Sequence, residues 1–371
     1  MKRSVLPARQ KVKKGLGKAK VAPRIRSPKS RTLLNWYDQN HRILPWRALP
    51  GMTPDPYHVW LSEVMLQQTT VAAVGPYYQK FLRRWPTLQK LARASLDEVR
   101  QMWAGLGYYR RAQSLHECAK IICKDYNGYF PKTEAELLKL PGFGPYTAAA
   151  VTSIAFHRPA NVVDGNVERV IARLFALHTP LPEAKAEIRE KAAGLLPTDR
   201  FGDYAQALMD LGATICTPRN PKCGLCPWNQ SCLARSLGLA DQLPRRKKTI
   251  AKPVRRAIAF FLTNKNGEIL LRQRPDKGLL GGMMEIPSTL WRADSMPAIA
   301  SVLKEAPVKT QWVLLPGRIK HVFSHFELEL AVATGSAKGA VRGKWVSPSK
   351  LEKEALPSVM RKVVRHALKL V

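Results

Sequence analysis

The sequence predicts a multidomain protein, an all-α unit followed by a smaller α+β unit. Three observations carry this. Before residue 235, apolar residues recur at helical spacing: Val167, Val170, Ile171, Leu174 and Phe175 share one face. Beyond residue 253 the pattern changes to short alternating runs. In HFELELAVAT, Phe326, Leu328, Leu330 and Val332 alternate with Glu327, Glu329 and Ala331. Between the two, residues 236–253 are polar and basic and contain Pro244 and Pro253, a linker composition. A chain of 371 residues is long enough for two cores.

In chain order, residues 1–30 read as a disordered basic arm, rich in Lys, Arg, Pro, Gly and Ala with little apolar patterning. The chain carries 61 basic and 27 acidic residues, a net charge of +34. Residues 1–31 hold twelve of the basic residues and no acid, which leaves 49 basic against 27 acidic, or +22, over the rest. The folded part is therefore basic in its own right, and a field of that sign attracts phosphate polyanions through counterion release. No run of about 18 charge-free apolar residues exists, so no helical membrane span is expected.

Residues 31–235 form the helical unit. Val59, Trp60, Val64 and Met65 mark an early helix. Glu134–Leu140 reads as another, Pro141-Gly142-Phe143-Gly144-Pro145 as a tight hairpin, and Tyr146–Phe156 as a resumed helix. The hairpin glycines permit positive φ and leave the backbone bare. Their N–H groups and the following helix start can approach a DNA phosphate. Four of the six cysteines, Cys216, Cys223, Cys226 and Cys232, fall within seventeen residues. With no secretory signal, a metal site fits better than disulfides, and the spacing suits either Zn²⁺ or an iron–sulfur cluster. Two carboxylates draw interest. Glu63 lies among Val59, Trp60 and Met65, a setting that would raise its pKa, and its plain alternative is an exposed helix acid. Asp164 precedes the helix at Val167 and reads as an N-cap.

Residues 254–371 form the α+β unit. AIAFFLT, the turn NKNG and EILLRQR read as a β-hairpin, and a helix covers part of the C-terminal 25 residues.

Together, LPGFGPYTAAAV, VVDGNVERV and the four-cysteine loop resemble the endonuclease III superfamily of helix–hairpin–helix DNA glycosylases. Within it, SEVMLQQT, GLGYYRRAQSLH, VDGNVERV and FSH resemble the MutY-type adenine glycosylases. The resemblance is dense over residues 33–235 and thinner over 254–371. It implies a [4Fe–4S] cluster on Cys216, Cys223, Cys226 and Cys232. It implies Glu63 as the acid that protonates adenine N7 and Asp164 as the anion facing the sugar cation, with Asn166 orienting it. Tyr146 stands where bifunctional relatives carry a Schiff-base Lys, so a monofunctional enzyme is expected. Gln68 is implied as the wedge, Thr69 and Tyr108 as contacts to 8-oxoguanine and its neighbours, and Gly142 and Gly144 as the phosphate hairpin. Arg42, Trp46, Arg47 and Gln206 resemble the adenine pocket.

The C-terminal unit resembles the Nudix-like 8-oxoguanine reader of that family, with Phe323, Ser324 and His325 as the sensing loop. GLLGGMMEIP lacks the following Arg-Glu…Glu-Glu run that holds Mg²⁺ in Nudix hydrolases, so nucleotide hydrolysis is not expected. The expected partner is double-stranded DNA with A:8-oxoguanine or A:G mispairs, bound by a monomer. The expected place is the cytoplasm of a bacterium, or the nucleus or mitochondrion of a eukaryote. The alternatives are a bifunctional glycosylase/lyase of the same fold and a non-catalytic iron–sulfur DNA-binding protein.

Overall fold

The computed structural model describes residues 26–48, 52–247, 251–293 and 295–371. Most of the basic arm (1–25) and part of the linker (248–250) lie outside the described residues. Among the described residues, no helix is long and apolar enough to cross a membrane.

The first unit is helical throughout. It runs α1 (Ser30–Asn40), α2 (Pro56–Leu66), α3 (Val71–Arg84), α4 (Leu88–Arg93), α5 (Leu96–Trp103) and α6 (Arg110–Asp125). It continues through α7 (Glu134–Leu137), α8 (Pro145–Phe156), α9 (Gly165–Leu174), α10 (Lys185–Ala193), α11 (Phe201–Thr214) and α12 (Leu233–Ser236). Hydroxyl caps start several of these: Thr70, Thr87, Ser95 and Thr133 each accept from a backbone N–H at the head of the next helix. α2 and α8 are apolar nearly all round and form the centre of the unit. Trp60, Phe81 and Trp103 are fully buried there, each contributing roughly 2–3 kcal/mol of transfer free energy. α11 crosses α8 and α9 at two glycines. A Cβ on Gly202 would sit 2.8 Å from Ser153 O, and one on Gly212 would sit 2.6 Å from Asn166 Cβ. Only glycine allows α11 this close to the segments that carry Tyr146 and Asp164.

The helix expected over Glu134–Leu140 is shorter, Glu134–Leu137, and then turns. The following helix begins at Pro145, one residue earlier than expected, because proline is preorganised for the first helical position. Of the hairpin glycines, Gly142 has φ +80°, whereas Gly144 has an ordinary extended conformation as the N-cap of α8. The expected positive φ therefore applies to Gly142 alone.

The second unit is a mixed sheet with strands β1 (Val254–Thr263), β2 (Ile269–Gln273), β3 (Met284–Glu285), β4 (Val313–Leu314), β5 (Ile319–Val322), β6 (Glu327–Ser336) and β7 (Lys344–Val346). A short α13 (Ile299–Val302) and a closing α14 (Ser358–Leu370) complete it. The strand order is β3-β2-β1-β6-β4, with β5 paired to β6 and β7 to β2. The expected β1–β2 hairpin pairs only at its base, Thr263 with Ile269. The main partner of β1 is β6, parallel over ten residues from Val254↔Glu327 to Thr263↔Ser336. β1 is buried on both faces from Ala257 to Leu262, which explains its continuous apolar run. One apolar cluster extends through both units, so the two pack together.

Candidate active site and DNA-facing surface

Glu63 sits in α2 with 5% of its surface exposed. Its carboxyl accepts a 2.6 Å hydrogen bond from the Tyr146 hydroxyl at the start of α8. Burial pushes Glu63 up to about 7; the Tyr146 bond opposes this, the Asp164 charge adds to it and Arg47 opposes it. Burial, then the Glu63 and Asp164 charges, also raise the Tyr146 phenol well above its ordinary value. The two carboxylates and the phenol therefore act on one another in one site.

Asp164 caps α9. Its Oδ1 accepts from the backbone N–H of Asn166 at 2.9 Å and of Val167 at 2.7 Å, and its Oδ2 from Asn166 Nδ2 at 2.8 Å. Burial raises this carboxyl while the three N–H donors and Arg169 work in the opposite sense. Donors that favour the ionised form, at a helix N-terminus, suit a fixed anion. The N-cap reading of Asp164 holds, and the cap fixes where its carboxylate points. Asn166 is itself held, because Arg169 donates to its Oδ1 at 2.9 Å and, through Nε, to the Cys216 carbonyl at 2.7 Å.

Arg42, Trp46, Arg47 and Gln206 line one cavity of about 520 Å³. Glu63 is not among its lining residues, and Arg47 is the wall group whose charge reaches Glu63. Trp46 is both wall and core, packed edge-on to Tyr78. Under the cavity lies a residue the sequence reading missed. Asp210, fully buried in α11, accepts from Arg42 Nε at 2.6 Å and from both terminal nitrogens of Arg47 at 2.7 Å. Its position one helical turn after Gln206 on the same face was the available signal.

Gln68 and Thr69 follow the end of α2. Gln68 is exposed with φ 57°, and Thr69 is half-buried. A second missed residue holds this turn. Arg111 donates to the carbonyls of Val64 (2.6 Å), Met65 (3.0 Å), Gln67 (2.6 Å) and Gly107 (3.1 Å), and its guanidinium lies against Tyr108. It thereby fixes the Gln68 turn relative to the Tyr108 loop. Tyr108 is 50% exposed, at φ 48°, and its hydroxyl lies 3.0 Å from Ser324 Oγ in the second unit. Ser324 and His325 are exposed, while Phe323 is anchored by stacking on Phe326 at 4.8 Å. Gly142 lies on an exposed turn whose Cβ position would press on Ser114.

The four clustered cysteines are free, and their thiol groups influence one another electrostatically. Burial raises Cys223, Cys226 and Cys232, Cys226 to about 12. Among the described residues, no three His, Cys, Asp or Glu side chains are close enough to hold a single metal ion. Four sulfur donors on one loop are nonetheless the ligand type that an iron–sulfur cluster takes. Arg173, fully buried, donates to Cys216 Sγ at 3.3 Å and to the Thr217 carbonyl at 2.7 Å, bracing the loop.

In the second unit, Glu285 is 2% exposed and bound by Arg272 and Arg274, with Arg272 Nε at 2.9 Å.

Comparison with known proteins follows the same division. Residues 61–197 match the HhH-GPD superfamily of base excision DNA repair proteins, 216–232 the iron–sulfur binding domain of endonuclease III, and 258–366 the NUDIX domain. A thermostable thymine-DNA glycosylase structure is similar at 32% identity and a TM-score of 0.50, covering 56% of this chain and 95% of that one. The adenine DNA glycosylase of Homo sapiens is 36% identical over 90% of this chain and 73% of its own. That of Buchnera aphidicola subsp. Baizongia pistaciae (strain Bp) is 32% identical over 80% of this chain and 83% of its own. With both units and the cysteine loop matched, and these relatives 32–36% identical over 80–90% of the chain, the chain belongs to the adenine DNA glycosylase family.

Proposed function

We propose that this chain excises adenine mispaired with 8-oxoguanine, or with guanine, from double-stranded DNA, as a monofunctional glycosylase working as a monomer. The observation that carries the reading is the buried Glu63–Tyr146 hydrogen bond facing the capped carboxylate of Asp164. A carboxyl raised to about 7 is half protonated near neutrality, the condition for a general acid.

The target adenine leaves the stack and is held against Glu63, on the side of Arg47, which links this position to the cavity that Arg42, Trp46 and Gln206 also line. Glu63 gives its proton to adenine N7 as the C1′–N9 bond breaks, and the bonding electrons leave with the base. The positive charge that develops on the sugar faces Asp164, which Asn166 and the α9 N-terminus hold in place. Water then adds to C1′, with Glu63 as the receiving base. Tyr146 offers a phenol where a lyase needs an amine, so no imine with the sugar forms. Gln68 and Thr69 fill and line the opened duplex, Tyr108 inserts beside the lesion, and Phe323, Ser324 and His325 read the oxidised base. The Gly142–Gly144 hairpin seats a phosphate. Cys216, Cys223, Cys226 and Cys232 would hold the four-iron cluster, which, when bound, stiffens the adjoining basic loop.

Single-turnover excision from duplexes with A opposite 8-oxoguanine, G or T tests the proposal. Release of adenine from the first two, with no covalent complex trapped by borohydride, is the expected result. Trapping, or equal excision from A:T, would overturn it.

A further inference from the structure

The two units are joined by hydrogen bonds that all involve one short stretch of the first unit. Among the described residues these are Arg100 NH2 to Asp276 Oδ1 at 2.7 Å, Gln273 Nε2 to Asp97 Oδ1 at 3.4 Å, Tyr108 Oη with Ser324 Oγ at 3.0 Å, and Ser358 N to Tyr109 Oη at 3.2 Å. Residues 97–109 comprise most of α5 and the loop that ends in Tyr108 and Tyr109.

Arg100 is the unusual member. Its side chain is only 5% exposed, although it belongs to a strongly basic chain and lies on an otherwise amphipathic helix. Its guanidinium is received by the β2–β3 loop of the second unit. Gly282 there has φ +69°, and a Cβ on it would fall 2.2 Å from the Arg100 guanidinium carbon. Asp276 in the same loop supplies the anion, and Asp97, one turn back on α5, a second at 3.2 Å. A loop that gives up a side chain and adopts a left-handed conformation to accept one cation is built around it. A buried charge of this kind is destabilising unless its partners stay in place, so it penalises any undocked arrangement.

We propose that Arg100 is a positioning residue for lesion discrimination: its bond to Asp276 docks the second unit before DNA arrives, and so sets Ser324 against Tyr108. The inference rests on the reading of Tyr108 and Ser324 given above. Arg100 touches no reacting atom. Its loss leaves the Glu63–Tyr146–Asp164 site intact but lets the sensing loop drift from the tyrosine that meets the lesion.

The test uses the full-length, cluster-bearing protein and compares wild type, Arg100→Met, Asp276→Asn and the double variant. Single-turnover excision is measured on A:8-oxoguanine and A:G duplexes, with hydrogen–deuterium exchange of the DNA-free protein over residues 319–327. Each variant is expected to lose about tenfold in the ratio of the two rates, with the double variant no worse than the singles. Exchange at 319–327 should rise, and Asp276→Glu should restore both readouts. An unchanged ratio, or equal slowing on both duplexes, would show a merely structural contact. Should Arg100→Met not fold, the exposed Asp276 still gives the same answer. A wild-type chain that excises adenine from neither duplex overturns the functional reading itself, and the exchange result then decides the docking separately.

Discussion

Both units bury glutamate, and two of these acids, Glu63 and Glu285, are treated in opposite ways. Glu285 in the sheet unit lies between two guanidinium groups that satisfy its charge. Glu63 in the helical unit receives one phenol, faces another carboxylate, and meets its nearest cation, Arg47, only after Asp210 has already claimed that cation. Burial of similar depth therefore yields a fixed ion pair in one place and a proton that can come and go in the other. What separates the ion-paired acid from the proposed proton donor is the company each keeps.

The comparison can be broken most directly by removing the exchangeable proton. Glu63→Gln is expected to lower single-turnover excision by about 10³-fold or more, with DNA affinity retained. Normal excision by that variant would remove Glu63 from the chemistry. Next in size is Asp210→Asn, which leaves Arg42 and Arg47 without their buried anion. It should cost about 3–5 kcal/mol in denaturant unfolding and slow excision as well. Burial raises Glu63 above its unfolded value, so the native state holds a proton that the unfolded chain releases between about pH 4.5 and 7. Its contribution to stability is thus present at low pH and lost as pH rises through that window. Glu63→Gln should accordingly be more stable than wild type at pH 8, by up to about 3 kcal/mol, and equal to it below pH 4.5. Glu285→Gln should do the reverse, losing about 1–3 kcal/mol of thermal stability while excising adenine at the wild-type rate. The smallest effect belongs to Tyr146→Phe. Its hydroxyl holds Glu63 down, so losing it should move the alkaline limb of the excision–pH profile up by about one unit. A limb that stays still or moves down would show that the phenol does not bear on the acid.

Much of this site was legible in the sequence because it is written locally. Asp164 before Val167 announces a cap, and the chain delivers one through adjacent N–H groups. Glu63 among Val59, Trp60 and Met65 reads on its residues alone more readily as an exposed helix acid; the family resemblance points to the buried one, and α2 is buried nearly all round. What stayed hidden depends on distant partners. Asp210 binds Arg42 across 168 residues, and Arg111 reaches back to carbonyls, groups that every residue possesses and no sequence distinguishes. The β-hairpin forms as expected around its turn, but its pairing is limited to Thr263 with Ile269. The turn NKNG is local and was seen, but the parallel pairing of β1 with β6 is decided 73 positions away. Arg100 looks like any basic surface residue until Gly282 and Asp276 are folded over it.

The short distance along the chain from Glu63 to Gln68 has one more consequence. Both ride on a single helix end that Arg111 clamps through its backbone. One residue inserted into that interval would turn the acid about 100° away from Tyr146 and displace it by about 1.5 Å. The interval therefore works as a ruler. Length variation can accumulate in the connections between helices, whereas this stretch must keep its count even where its individual letters change.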